Sequence, residues 1–144
     1  MMEKPTIGII TTGVHSTKDK MTRCLVEDLV SGELVADRPI GDKNKTIGKF
    51  IAIVEAVKYI LTHPEAPRII YSDNLVAISW YRNMKTTSYQ KYPEQGAAEV
   101  FLKVMWAKTR DIEVRYWNNR EWGDITTNFG EKQYSIYHES IISF

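Results

Sequence analysis

The chain has 144 residues and a formal net charge of +1. That length suits one domain with a real core, and the near-balanced charge excludes a global field that recruits polyanions, so affinity for nucleic acid must come from a local patch. Cys24 is the only cysteine, which excludes a disulfide framework and a cysteine-based zinc site.

In chain order, "TIGIITT" (Thr6 to Thr12) is rich in β-formers, and "MTRCLVED" (Met21 to Asp28) is a second such run that places Cys24 among core residues. Ser31-Gly32 marks a turn before "ELVADRP" (Glu33 to Pro39), so three strands with tight connections suggest an antiparallel meander. A helix follows, with Phe50, Ile53, Val54, Val57 and Leu61 at amphipathic spacing, Thr46 as its cap and His63-Pro64 as its end. Lys49 is the odd residue, a cation in the predicted first turn, where the helix dipole favours an anion.

"PRIIYSD" (Pro67 to Asp73) reads as a strand, "NLVAISWYRN" (Asn74 to Asn83) as a short helix, and "KTTSYQKYPEQ" (Lys85 to Gln95) as a loop. Ala97, Val100, Phe101, Val104 and Met105 mark a second long helix. "DIEVRYW" (Asp111 to Trp117) alternates as a half-buried strand does, and the polar loop "NNRE" leads to Trp122-Gly123 and a short helix ending near Lys132. The order βββ-α-β-α-α-β-α implies an α/β fold, a mixed five-stranded sheet with three antiparallel strands, then parallel ones, and helices on both faces.

That order, with "IIYSDNLVAISWYRN", "KTIGKFIAIVEAVKYI" and "WNNREWGDITTNFGEK", resembles type 1 ribonuclease H of a bacterial branch, from about Lys4 to Lys132. The resemblance implies a ribonuclease H-like domain over residues 1–132, followed by a tail over 133–144. It also implies a nuclease that cuts the RNA strand of an RNA–DNA hybrid, using four carboxylates and two Mg²⁺ ions roughly 3.5–4 Å apart. The positions that match those acids are Thr11, Lys49, Asp73 and Asn128, with Thr12 one residue off the first. Asp73 alone is acidic, so the expectation is a degenerate, catalytically inactive member. No metal is expected, Asp73 holding one ion at most, and Mg²⁺ or Mn²⁺ matters only to residual activity.

Lys49 is expected to pair with Asp73 as a built-in cation, and Asp73 has the alternative role of a helix N-cap. Glu55 and Asp124 are the acids considered for a relocated site, and Glu55 lies off the face of Lys49. His15, His63 and His138 lack metal-ligand spacing.

Nucleic-acid binding is the first functional expectation, to an RNA–DNA hybrid or structured RNA or DNA. Its candidates are Lys18 and Lys20 in the turn "GVHSTKDKM", Lys43, Asn44 and Lys45 before the long helix, and Arg82, Lys85 and Lys91 around a loop bearing Tyr89 and Tyr92. The alternative is a protein-interaction or regulatory subunit, such as the partner of an active nuclease, or a homo-oligomer. It rests on the tail residues Tyr134, Ile136, Tyr137, Ile141, Ile142 and Phe144. A weak metal-dependent ribonuclease H is third. No stretch is apolar over a membrane-spanning length, and the N-terminal Met1-Met2-Glu3-Lys4-Pro5 has no signal-peptide hydrophobic run, so a soluble cytoplasmic protein without membrane contact is expected.

Overall fold

A computed structural model describes residues 3–129. Strands β1 (Ile9–Ser16), β2 (Met21–Asp28) and β3 (Glu33–Pro39) form an antiparallel meander. Helix α1 (Lys45–Thr62) leads to β4 (Ile69–Ser72), α2 (Leu75–Asn83), α3 (Pro93–Val104), α4 (Trp106–Thr109) and β5 (Glu113–Tyr116). A short α5 (Asn119–Trp122) and a 3-10 turn (Ile125–Asn128) close the described chain. The sheet order is β3-β2-β1-β4-β5, with β4 parallel to both β1 and β5.

Side chains alternate across the sheet and divide the core in two. On one face Ile9, Cys24, Val26 and Ile70 pack against α1, with α2 and α3 behind it. On the other, Ile10, Leu25 and Tyr71 lie under Trp117, Ile125 and Phe129. Helix α1 is buried over more than a stripe, from Ile47 through Phe50, Ile53 and Val57 to Ile60, because sheet and helices enclose it. Ile60 takes the deep position, and Leu61 is half-buried at its edge.

Several local expectations are corrected. Residues 13–16 continue β1, with Gly13 opposite Cys24 and Ser16 opposite Met21, so the expected loop shrinks to a hairpin tip at 17–20. Asn44, not Thr46, caps α1, its side chain accepting from Ile47 N at 2.9 Å. Lys49 therefore stands one turn inside the helix, past the reach of the end-dipole effect. The predicted second long helix breaks at Met105 into α3 and α4. The expected closing helix is a single 3-10 turn as far as Asn128. The boundary at 132 and the tail 133–144, with His138, lie outside the described residues. Among the described residues, no helix is long and apolar enough to cross a membrane.

Candidate functional site

Parallel pairing of β1 and β4 puts their carboxyl ends side by side, and α1 begins at the same end of the sheet. Two glycines let α1 approach β1 closely. A Cβ built on Gly13 meets Gly48 C and Lys49 N at 2.7 Å, and one on Gly48 meets Thr22 Cγ2 at 2.7 Å. This backbone contact sets where Lys49 starts.

From there the ammonium Nζ of Lys49 reaches to 3.1 Å from Asp73 Oδ1, the two side chains being 15% and 5% exposed. Oδ1 makes no aligned hydrogen bond, so the contact is mainly Coulombic. The other oxygen, Oδ2, accepts from Asn119 Nδ2 at 3.2 Å, and Asn119 Oδ1 accepts from Ile125 N at 2.9 Å. Asp73 thus joins α1 to the segment after β5. It is not a helix cap, because Asn74 does that work by accepting from Ala77 N at 2.8 Å.

The structure distinguishes Thr11 from Thr12. Thr11 Oγ1 donates to Tyr71 O at 2.9 Å, and its side chain shares the α1 face with Ile9. The parallel pairing places Ile10 beside Tyr71 and ends with Thr11 beside Ser72. Thr12 Oγ1 is buried without a hydrogen-bond partner among the described residues. Asn128 Nδ2 donates to Ile125 O at 3.3 Å within its own turn. Asp124 caps that turn, accepting from Thr126 Oγ1 at 2.7 Å and Thr126 N at 2.9 Å. These bonds, aided by the charges of Lys49 and Lys45, hold its carboxyl below the usual carboxylate range. Glu55 instead pairs with Arg38 on the outer side of α1.

This donor set does not fit a two-Mg²⁺ centre. One carboxylate carries an ammonium on one oxygen and an amide on the other, and no three His, Cys, Asp or Glu side chains lie together among the described residues. An ammonium opposes a divalent ion by roughly 8 kcal/mol at ~4 Å and an effective dielectric of ~20. Cys24 is no alternative centre, since burial pushes its thiol up to about 12 and its Sγ donates to Gly48 O at 3.2 Å.

The basic candidates divide. Lys18 and Lys20 are exposed on the hairpin tip, and Lys45 is exposed on α1 one turn before Lys49, hence on the same side. Asn44 turns its Nδ2 to Gln90 Oε1 at 2.9 Å. Lys43, expected on the surface, is turned inward: its ammonium donates to Ile40 O, 4.4 Å from the Tyr92 ring centroid and 3.7 Å from Glu94 Oε1. Arg82 lies at the far end of α2 and donates to Val114 O at 3.0 Å. Lys85 is exposed, and Lys91 Nζ lies 3.4 Å from Thr86 O. His15 sits 2.7 Å from Asp42, and His63 stacks on Tyr59. The sequence reading missed Asn119, whose one signal was an amide just past a strand end.

No protein-family model and no curated protein sequence matches the chain. Solved structures do. LC11-RNase H1, isolated from compost by a metagenomic approach, superposes with a TM-score of 0.55 at 11% identity, over 88% of this chain and 93% of that one. The prototype foamy virus protease-reverse transcriptase gives 0.51 at 14% identity, over 81% of this chain and 18% of that one. The mixed sheet in the order β3-β2-β1-β4-β5, helices on both of its faces, and these superpositions together establish a ribonuclease H-like fold.

Proposed function

We propose that this chain is a catalytically inactive ribonuclease H-like protein of the cytoplasm that binds nucleic acid, an RNA–DNA hybrid or structured RNA or DNA, without a resident metal. One observation carries the reading: Lys45 is exposed in the first turn of α1, which has no acid, on the same side as the Asp73-paired Lys49. Lys45, in that first turn, opposes the helix dipole and costs stability, which a phosphate-binding role accounts for. Lys18 and Lys20 extend the patch at the same end of the sheet. A lysine ammonium meets phosphate directly, so the grip needs no Mg²⁺.

The test is labelled RNA–DNA hybrid with Mg²⁺, Mn²⁺ or EDTA at low and high salt, scoring binding and cleavage together. Binding that ignores EDTA, weakens with salt and leaves the hybrid intact is expected. Metal-dependent cleavage abolished by Asp73→Asn overturns the reading and favours a weak ribonuclease H. A second reading, a partner or regulatory subunit of an active nuclease or a homo-oligomer, has one observation of its own: Val100 and Val104, four apart on α3, are 60% and 72% exposed. Mass against concentration, for full-length protein and a 133–144 deletion, checks it; an unchanged monomer removes it.

A further inference from the structure

A second concave surface lies at the far end of α2, where the α3–α4 junction and strand β5 meet it. One hollow of about 240 Å³ includes Trp106 and Arg110 in its wall, and a neighbour of about 260 Å³ includes Val114 and Arg115. The two share Tyr81, Arg82 and Ile112, which makes them one open groove along the edge of the sheet.

Its charge is one-sided. Asp111 is held by Arg68 through two hydrogen bonds of 2.8 and 2.7 Å, and Glu113 is held by Arg115 at 2.7 Å. Both acids are therefore neutralised where they stand. Arg82 donates to the Val114 carbonyl, and the Arg110 guanidinium lies 5.6 Å from the Trp106 ring centroid. Neither arginine is within ion-pair distance of a carboxylate among the described residues. Lys85, Lys103 and Lys108 are exposed and adjoin in sequence the wall residues Met84, Leu102 and Thr109. Trp106 is 49% exposed, a large indole area for the surface of a helix.

We infer that this groove binds a single-stranded nucleic-acid segment, with a base stacked on Trp106 and the flanking phosphates on Arg110 and Arg82. Guanidinium groups suit phosphate oxygens, and an exposed indole offers a face to any unstacked base. A duplex keeps its bases stacked inside, so only a single strand uses both features. A polyglutamate chain supplies the charge but no flat partner for Trp106. The inference rests on the proposed binding of nucleic acid only for the class of ligand; the site itself is separate from Lys49 and Asp73.

The experiment measures anisotropy of labelled oligo-dT and of blunt RNA–DNA hybrid on the full chain and on Trp106→Ala and Arg110→Ala, with thermal unfolding as a fold check. Trp106→Ala is expected to weaken oligo-dT binding about tenfold, the effect of one lost stacking partner, Arg110→Ala to weaken it through a lost phosphate contact, and both to leave the hybrid unchanged. Trp106→Tyr should restore most of the affinity. Should Trp106→Ala unfold, Arg110→Ala and Trp106→Tyr still decide. Oligo-dT that binds equally to both variants, or that polyglutamate displaces as well as unlabelled oligo-dT does, overturns the groove. Hybrid binding without oligo-dT binding overturns the groove alone; oligo-dT binding without hybrid binding overturns only the Lys45–Lys49 surface. Binding of neither overturns both.

Discussion

The Lys49 ammonium stands 3.1 Å from Asp73 Oδ1 with both side chains largely out of solvent, and Asn119 occupies the other carboxylate oxygen. A positive side chain thus sits on the carboxylate at the carboxyl end of β4. Lys49→Ala leaves that carboxylate with one amide, and should destabilise the protein by about 1–3 kcal/mol. This is less than the ~3–5 of a wholly buried pair, because Asn119 remains and Lys49 keeps some solvent contact. In a denaturation cycle with Asp73→Ala, a coupling of about 1 kcal/mol or more is expected. Strictly additive losses would remove the pairing.

Restoring one acid should not restore a nuclease. Lys49→Glu puts a carboxylate beside Asp73 while Thr11 and Asn128 stay uncharged, and two like charges then face each other without two metals to neutralise them. The variant should be less stable than the parent and should leave hybrid RNA uncut in Mg²⁺ or Mn²⁺. Robust cleavage by this single variant refutes the site assignment.

Lys45 should separate stability from binding. It is exposed in the first turn of α1, where Glu interacts favourably with the dipole and relieves an i,i+4 repulsion with Lys49. Lys45→Glu should raise stability by roughly 0.3–1 kcal/mol. It should also weaken hybrid binding and lower the slope of log K against log salt by about 1. A more stable variant with unchanged affinity and slope removes Lys45 from the phosphate surface.

Stability should fall at both extremes of pH, through different groups. The Asp124 carboxyl is held below its ordinary 3.8 first by the Thr126 hydroxyl, then by the Thr126 amide. Its contribution is complete above that value and is lost as pH falls through the lowered one, so Asp124→Asn should flatten the acid limb. Burial first, then the hydrogen bond to Asp28, pushes the Tyr59 hydroxyl from 10.0 up to about 12. Its contribution is complete below pH 10 and is lost between those values, so Tyr59→Phe should remove part of the alkaline loss. Midpoints of chemical unfolding across pH check both limbs, and parallel curves for parent and variants contradict the assignments.

Gly13 should resist substitution for a steric reason. An alanine Cβ there lies 2.7 Å from the backbone of Gly48 and Lys49, which cannot yield without moving α1. Gly13→Ala should cost about 1–3 kcal/mol, as overpacking typically does, and weaken the coupling between Lys49 and Asp73. A fully stable variant with that coupling intact shows that α1 can shift freely.

The sequence by itself determined the order of the strands and main helices, the inward run of α1 from Phe50 to Val57, and the identities of Lys49, Asp73 and Asn128. These are local facts, carried by periodicity and by residue identity. Only the tertiary structure decided that Thr11 lies beside Ser72 and bonds to Tyr71 O, because a one-residue slip turns a strand residue to the opposite face and the pairing of β1 with β4 joins strands about sixty residues apart in sequence. It likewise supplied Asn119 as the partner of Asp73, buried Lys43 against Ile40 and Tyr92, and tied Arg82 to the edge of β5. A side chain's charge is written in the sequence. Where that charge is satisfied depends on which distant backbone and ring the fold brings within about 3–6 Å, and no local pattern encodes that.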